Sequence, residues 1–157
     1  MQTDDLPYRP NVCILIFNKE KKLLLAERKG EQGVWQFPQG GVELDQSIES
    51  NVLREIEEEL GIKEFLCEII GSLPARNRYD FDITPEYARG VWRGQDQTFW
   101  VVRFLGEDSD ISVHTQHPEF DTWAWLTVAE ISQRAEPKRL IGYREALEQF
   151  SKMQDSL

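Results

Sequence analysis

The sequence predicts an α/β layered domain in which helices cover a central mixed sheet, and three observations lead there. Short apolar runs rich in β-branched and aromatic residues recur along the chain. Between them, residues 47–60 carry apolar side chains at helical spacing, and a second amphipathic stretch closes the chain. No repeat, low-complexity tract or Pro/Ser-rich linker interrupts the 157 residues, so the reading is one domain over residues 1–157.

The elements follow in order. Residues 12–17 form a continuous apolar run, the pattern of a strand buried on both faces. Residues 18–22 read as a turn, and the leucines at 23–25 as the returning strand. Trp35, Gln36 and Phe37 form a short extended piece stopped by Pro38, after which Gly40 and Gly41 open a loop. Ile48, Val52, Ile56 and Leu60 recur every four residues with Leu53 alongside, which predicts a helix. Ser47 is its N-cap, Glu49 suits the first turn and Gly61 is the stop. Residues 65–73 read as a strand. The stretch 76–97, rich in Arg, Tyr and Gly, reads as a long substrate-facing loop. Strands are expected over 98–105 and 119–126, a short helix from Thr127, and a longer one over 139–153.

Composition limits the function. A hydrophobic share of 40%, with five Trp, four Tyr and eight Phe, is enough for a core. With 18 basic and 28 acidic residues the net charge is −10, which argues against an extended surface for nucleic-acid backbone. It leaves room for a short anionic end bound through a divalent cation. No apolar run approaches the ~18–20 residues that span a bilayer. The first ten residues are acidic and polar, unlike a signal peptide. Cys13 and Cys67 sit in apolar strand-like runs and read as small buried hydrophobes. Together these predict a cytoplasmic protein with no membrane contact.

The helix over 47–60 carries the chemistry. At ~100° per residue, Glu55, Glu58 and Glu59 fall at roughly 0°, 300° and 40°, on one face. Ile48, Val52 and Ile56 project at roughly 20°, 60° and 100° on the same wheel, so the acids lie on the seam between apolar stripe and solvent, Glu59 nearest the core. Charge runs are usually solvated faces. Here the like charges at i,i+3 and i,i+4 oppose the helix by roughly 0.2–0.5 kcal/mol each, and Arg54 alone cannot neutralise three carboxylates. Magnesium can, because it prefers oxygen ligands and bridges to phosphates.

Loop and helix together resemble the Nudix box: Gly, five residues, Glu, seven residues, then Arg-Glu-apolar-any-Glu-Glu-any-Gly-apolar. The matching positions are Gly40, Arg54, Glu55, Ile56, Glu58, Glu59, Gly61 and Ile62; the departure is Gln46, where the family has glutamate. The wider chain is similar to the RNA 5′-pyrophosphohydrolases and dinucleoside polyphosphate hydrolases of that family. The resemblance runs through Tyr8-Arg9-Pro10-Asn11-Val12, Trp35-Gln36-Phe37-Pro38-Gln39-Gly40-Gly41, Arg78-Tyr79-Asp80, Gly94-Gln95-Asp96-Gln97 and Pro118-Glu119-Phe120-Asp121-Thr122-Trp123-Ala124-Trp125, with Tyr143-Arg144 as a weaker echo.

The resemblance implies a Nudix-type α/β/α sandwich that uses magnesium or manganese. It makes Glu55, Glu58 and Glu59 metal ligands or catalytic carboxylates and Glu119 the distal acid; the base is Glu55 or Glu119. Gly40, lacking a Cβ, lets its carbonyl approach the metal, and Arg54 orients a neighbouring carboxylate. Arg9 and Arg28 are expected phosphate contacts, with surface solubility as the alternative. Gln39, Gln95 and Tyr79 are expected on the substrate side, and Phe81 or Trp92 could also stack on a base. The implied activity is removal of pyrophosphate from the 5′ end of triphosphorylated RNA, initiating mRNA decay. The alternatives are hydrolysis of a dinucleoside polyphosphate such as diadenosine tetraphosphate, and a nucleotide-binding Nudix module with weak catalysis, marked by Gln46.

Overall fold

The computed structural model describes residues 5–157; the first four residues of the N-terminal segment read above lie outside the described residues. Seven strands form one mixed sheet. They are β1 (Tyr8–Phe17), β2 (Leu23–Arg28), β3 (Trp35–Gln36), β4 (Gln39–Gly41), β5 (Cys67–Asp80), β6 (Gly94–Phe104) and β7 (Phe120–Leu126). The path runs β3-β2-β1-β6-β5, with β4 paired to β1 and β7 to β2. The β1–β6 pairing is parallel and all the others are antiparallel.

The continuous apolar run of β1 is explained by its central place. Successive strand side chains alternate between faces, so Val12, Ile14 and Ile16 meet Val52, Ile56 and Leu60 of helix α1 (Ile48–Leu60). Cys13, Leu15 and Phe17 belong with Tyr143, Ala146, Leu147 and Phe150 of helix α3 (Pro137–Met153) on the other face. Helix α2 (Val128–Arg134) adds Ile131 to that second core. The result is the α/β/α sandwich. Cys13 is buried, Cys67 half-buried, and both are free thiols. Among the described residues, no helix is long and apolar enough to cross a membrane.

The ends of α1 behave as the sequence predicts. The Ser47 side chain accepts from the Ser50 N–H, and Gly61 caps the helix in the left-handed region at φ 66°, donating to Glu57 O. Two expectations are corrected. Gly40 and Gly41 do not open a loop: with Gln39 they form β4, whose register is Asn11↔Gly41, Val12↔Gly40 and Cys13↔Gln39. Backbone groups beside a buried strand need partners, and the flanking strand supplies them. Nor is 76–97 one loop. Residues 76–80 continue β5 and 94–97 begin β6, paired Arg76↔Thr98 through Asp80↔Gly94. The end of β5 carries charged side chains on a wet face, and the start of β6, Gly94 to Gln97, is polar though mostly buried; both mask the strand pattern. A smaller difference is that residues 64–66 form a 3-10 turn ahead of β5, and α3 starts at Pro137, a residue suited to the first helical turn.

Candidate active site

Each residue of β4 locates a different functional group. A Cβ on Gly40 would lie 2.0 Å from the Glu55 carboxyl carbon, so the missing side chain is the space the Glu55 carboxylate occupies. A Cβ on Gly41 would lie 2.1 Å from the Arg9 guanidinium, and the Gly41 carbonyl accepts from Arg54 at 3.4 Å. The Gln39 backbone N–H is directed at the Glu59 carboxylate and favours its charged form.

The helix wheel is confirmed in its order of burial. Glu59 and Glu55 are 5% and 8% exposed, whereas the Glu58 side chain is largely open and Glu57 is a surface residue paired with Lys63. Arg54 spans the group, 3.0 Å from Glu55 Oε1, 3.6 Å from Glu58 Oε2 and 3.9 Å from Glu43 Oε1. It also donates to Asn51 Oδ1. Asn51 in turn accepts from the Glu43 N–H and donates to the carbonyls of Glu43 and Ser47, which ties the box loop to α1.

Glu119 enters from the segment before β7. Glu55, Glu58, Glu59 and Glu119 line one cavity of about 740 Å³ with Thr115, Gln116 and His117. Its electrostatics are unbalanced. Burial pushes the Glu55 carboxyl up to about 7; Arg54 opposes the shift, while Glu58 and Glu119 add to it. Burial raises Glu59 well above the usual carboxylate range, and Glu55 and Glu119 raise it further. Glu59 Oε2 is buried with no hydrogen-bond partner.

This donor set fits a divalent cation: it is built of oxygens, its four carboxylates outnumber the one guanidinium among them, and one inner oxygen is unsatisfied. Among the described residues, no three acidic, His or Cys side chains already stand as a cage. Holding an ion therefore calls for the exposed Glu58 or Glu119 to turn inward onto the fixed Glu55 and Glu59.

The other expected residues divide. Arg9 packs on Gly41 with its guanidinium 4.9 Å from the Tyr87 ring centre, and no carboxylate pairs with it among the described residues. Arg28 is instead held by Glu31 at 2.5 Å and Gln36 at 3.1 Å and does not line the acidic cavity. Gln95 is buried and accepts from the Tyr79 hydroxyl at 2.6 Å. Tyr79 and Phe81 line a second cavity of about 590 Å³ beside α3, with Asn77, Gln97 and Arg139. Trp92 lines neither cavity. Gln46 is exposed in a turn, its N–H donating to Glu43 O.

Sequence reasoning gave no role to Asn51, to the 115–117 segment, or to Gln97, although Gln97 lies in the segment 94–97 that carries the resemblance. Asn51 carried a signal, a polar residue beside Val52 on the apolar seam. The 115–117 segment carried none.

Comparison with known proteins agrees with this fold. The NUDIX domain matches residues 7–150. The RNA pyrophosphohydrolase of Roseobacter denitrificans is 36% identical over 148 residues, covering 92% of each chain. That of Sphingopyxis alaskensis is 36% identical over 152 residues, covering 94% of this chain and 95% of its own. Among solved structures, a C. elegans Ap4A hydrolase binary complex superposes with a TM-score of 0.66 at 17% identity, over 94% of this chain and 99% of that one. The E. coli dihydroneopterin triphosphate pyrophosphohydrolase gives a TM-score of 0.68 at 20% identity, over 92% and 97%. These structures share the fold, and the NUDIX match spans most of the chain: this chain belongs to the Nudix family.

Proposed function

We propose that the chain removes pyrophosphate from the 5′ end of triphosphorylated RNA by cutting a phosphoanhydride bond with water, and that it acts in the cytoplasm as one domain over residues 1–157. The observation that carries the reaction type is the convergence of Glu55, Glu58, Glu59 and Glu119 on one cavity, with an unsatisfied inner oxygen. The substrate reading rests on the two relatives, both RNA pyrophosphohydrolases.

Glu55, Glu58, Glu59 and Glu119 would hold a divalent cation, magnesium in the first place or manganese. Such an ion supplies positive charge against the phosphate oxygens and makes water a better nucleophile. The chain's own groups do the rest. Arg54 orients Glu55 and Glu58 by charge-assisted contacts. Arg9, free of any carboxylate among the described residues, is placed to take a phosphate. Glu55 or Glu119 would take the proton from the attacking water.

Turnover of triphosphorylated RNA against diadenosine tetraphosphate at matched concentration tests the proposal, with pyrophosphate released from the RNA. Faster diadenosine turnover by orders of magnitude would transfer the activity to dinucleoside polyphosphates. Hydrolysis of neither, at saturating magnesium, would leave a nucleotide-binding module.

A further inference from the structure

Four amide side chains, those of Asn11, Gln39, Asn77 and Gln97, meet beside β4, and two of them, Asn77 and Gln97, also line the second cavity. Gln97 is 3% exposed, and its Nε2 donates to Gln39 Oε1 at 2.6 Å and to Asn11 Oδ1 at 3.1 Å. Its Oε1 accepts from Asn77 Nδ2 at 2.9 Å. Because all four are amides, the network stays paired only while its members keep matched orientations. Its far end rests on α3. Asn77 packs on Gly142 of α3, where a Cβ would lie 2.3 Å from Asn77 Nδ2.

The chain of contacts therefore runs from α3 through Asn77 and Gln97 to Gln39, the first residue of β4. That strand is the template of the site: the Gln39 N–H faces Glu59, Gly40 receives Glu55, and Gly41 receives Arg9. It is only three residues long and borders the box loop, so its pairing with β1 alone holds it weakly. Buried polar networks, when fully satisfied, specify one arrangement.

We propose that Gln97 is a positioning residue. It holds β4 in register through Gln39, and so sets Glu55 and Glu59 in the arrangement that receives a cation, without touching substrate. The role deepens the function proposed above.

The test replaces Gln97 by leucine, which keeps the volume and leaves the Gln39 and Asn11 oxygens without their donor. For Gln97→Leu we expect kcat on triphosphorylated RNA to fall at least tenfold with KM within threefold. We also expect Mn²⁺ affinity, read from the free-ion paramagnetic resonance signal without substrate, to weaken at least tenfold. Gly142→Ala disturbs the network from its distant end and should produce the same pattern at smaller amplitude. Rates are compared well below each variant's melting temperature; if Gln97→Leu does not fold, Asn77→Ala carries the same test from a half-buried position.

A Gln97→Leu enzyme with kcat and Mn²⁺ affinity within twofold of the parent overturns the proposal. So does a rise in KM alone, which would make Gln97 a substrate contact. Should the parent hydrolyse no nucleotide substrate, the function proposed above fails, and the ion-binding measurement still decides the role of Gln97.

Discussion

Two buried polar groups lie on either side of β4, and they are satisfied to opposite degrees. Gln97 makes three hydrogen bonds, and none of the amides it touches leaves a buried atom without a partner. The carboxylates of α1 crowd together around one guanidinium, with Glu59 Oε2 and Arg54 Nε both buried and unpartnered. The chain pairs Gln97 at both ends yet leaves three glutamates around one arginine. The difference teaches that the imbalance belongs to the function: one group holds geometry, the other is built to be completed from outside. Local strain of this kind is retained where mechanism needs it.

The strongest way to break this contrast is Glu59→Gln. It removes a charge the site needs and also the repulsion the fold bears. We expect kcat to fall roughly 100-fold or more while the ion-free protein melts a few degrees higher, as about 1 kcal/mol implies for a chain of this size. A melting temperature that drops together with activity would make Glu59 an ordinary structural acid. Gly40→Ala is the next largest. Its Cβ would meet the Glu55 carboxyl carbon at 2.0 Å, so the carboxylate must move. The expected loss is roughly 10- to 100-fold in kcat, by the misplacement argument, with KM little changed. Steady-state kinetics at saturating magnesium reads it.

The two groups also differ in how far the sequence disclosed them. Helical periodicity placed Glu55, Glu58 and Glu59 on one seam because a helix lines up near neighbours, and the capping residues Ser47 and Gly61 bounded it. The layered fold was legible for the same local reason. The amide network was not, since Asn11, Gln39, Asn77 and Gln97 come from four strands and meet only through register. The β4 strand escaped notice because two glycines and a preceding proline read as a turn, the end of β5 because charged side chains hide a period of two, and the start of β6 because Gly94, Gln95, Asp96 and Gln97 include no apolar side chain to mark a buried strand. Arg28 shows what residue type alone leaves out: its guanidinium pairs with Glu31 and Gln36.

The contrast can be sharpened with pH. Folding raises the Glu55 carboxyl from its ordinary value of 4.5 to about 7, so the folded protein binds the extra proton in between. Stability contributed by that proton is complete below about 4.5 and is lost as pH rises through about 7. The shift corresponds to about 3 kcal/mol at most. Without divalent ions, the parent should lose melting temperature relative to Glu55→Gln between pH 5 and 8, and added magnesium should remove the difference. A difference that is flat across this range would show that Glu55 is not strained by its burial. The Gln97→Leu difference should be flat, because amides do not titrate.

The smallest effect is expected at Gln46, the one departure from the box. Its side chain is exposed, its backbone N–H donates to Glu43 O, and it does not line the acidic cavity. A glutamate there would add charge to a solvated turn, where a single charge alters stability and catalysis little. Gln46→Glu should therefore change kcat by no more than roughly twofold, in keeping with that weak surface coupling. Activity appearing only in Gln46→Glu would reverse the argument. The inner carboxylates would then be insufficient by themselves, and the sixth residue past Gly40 would have to reach the cation after all.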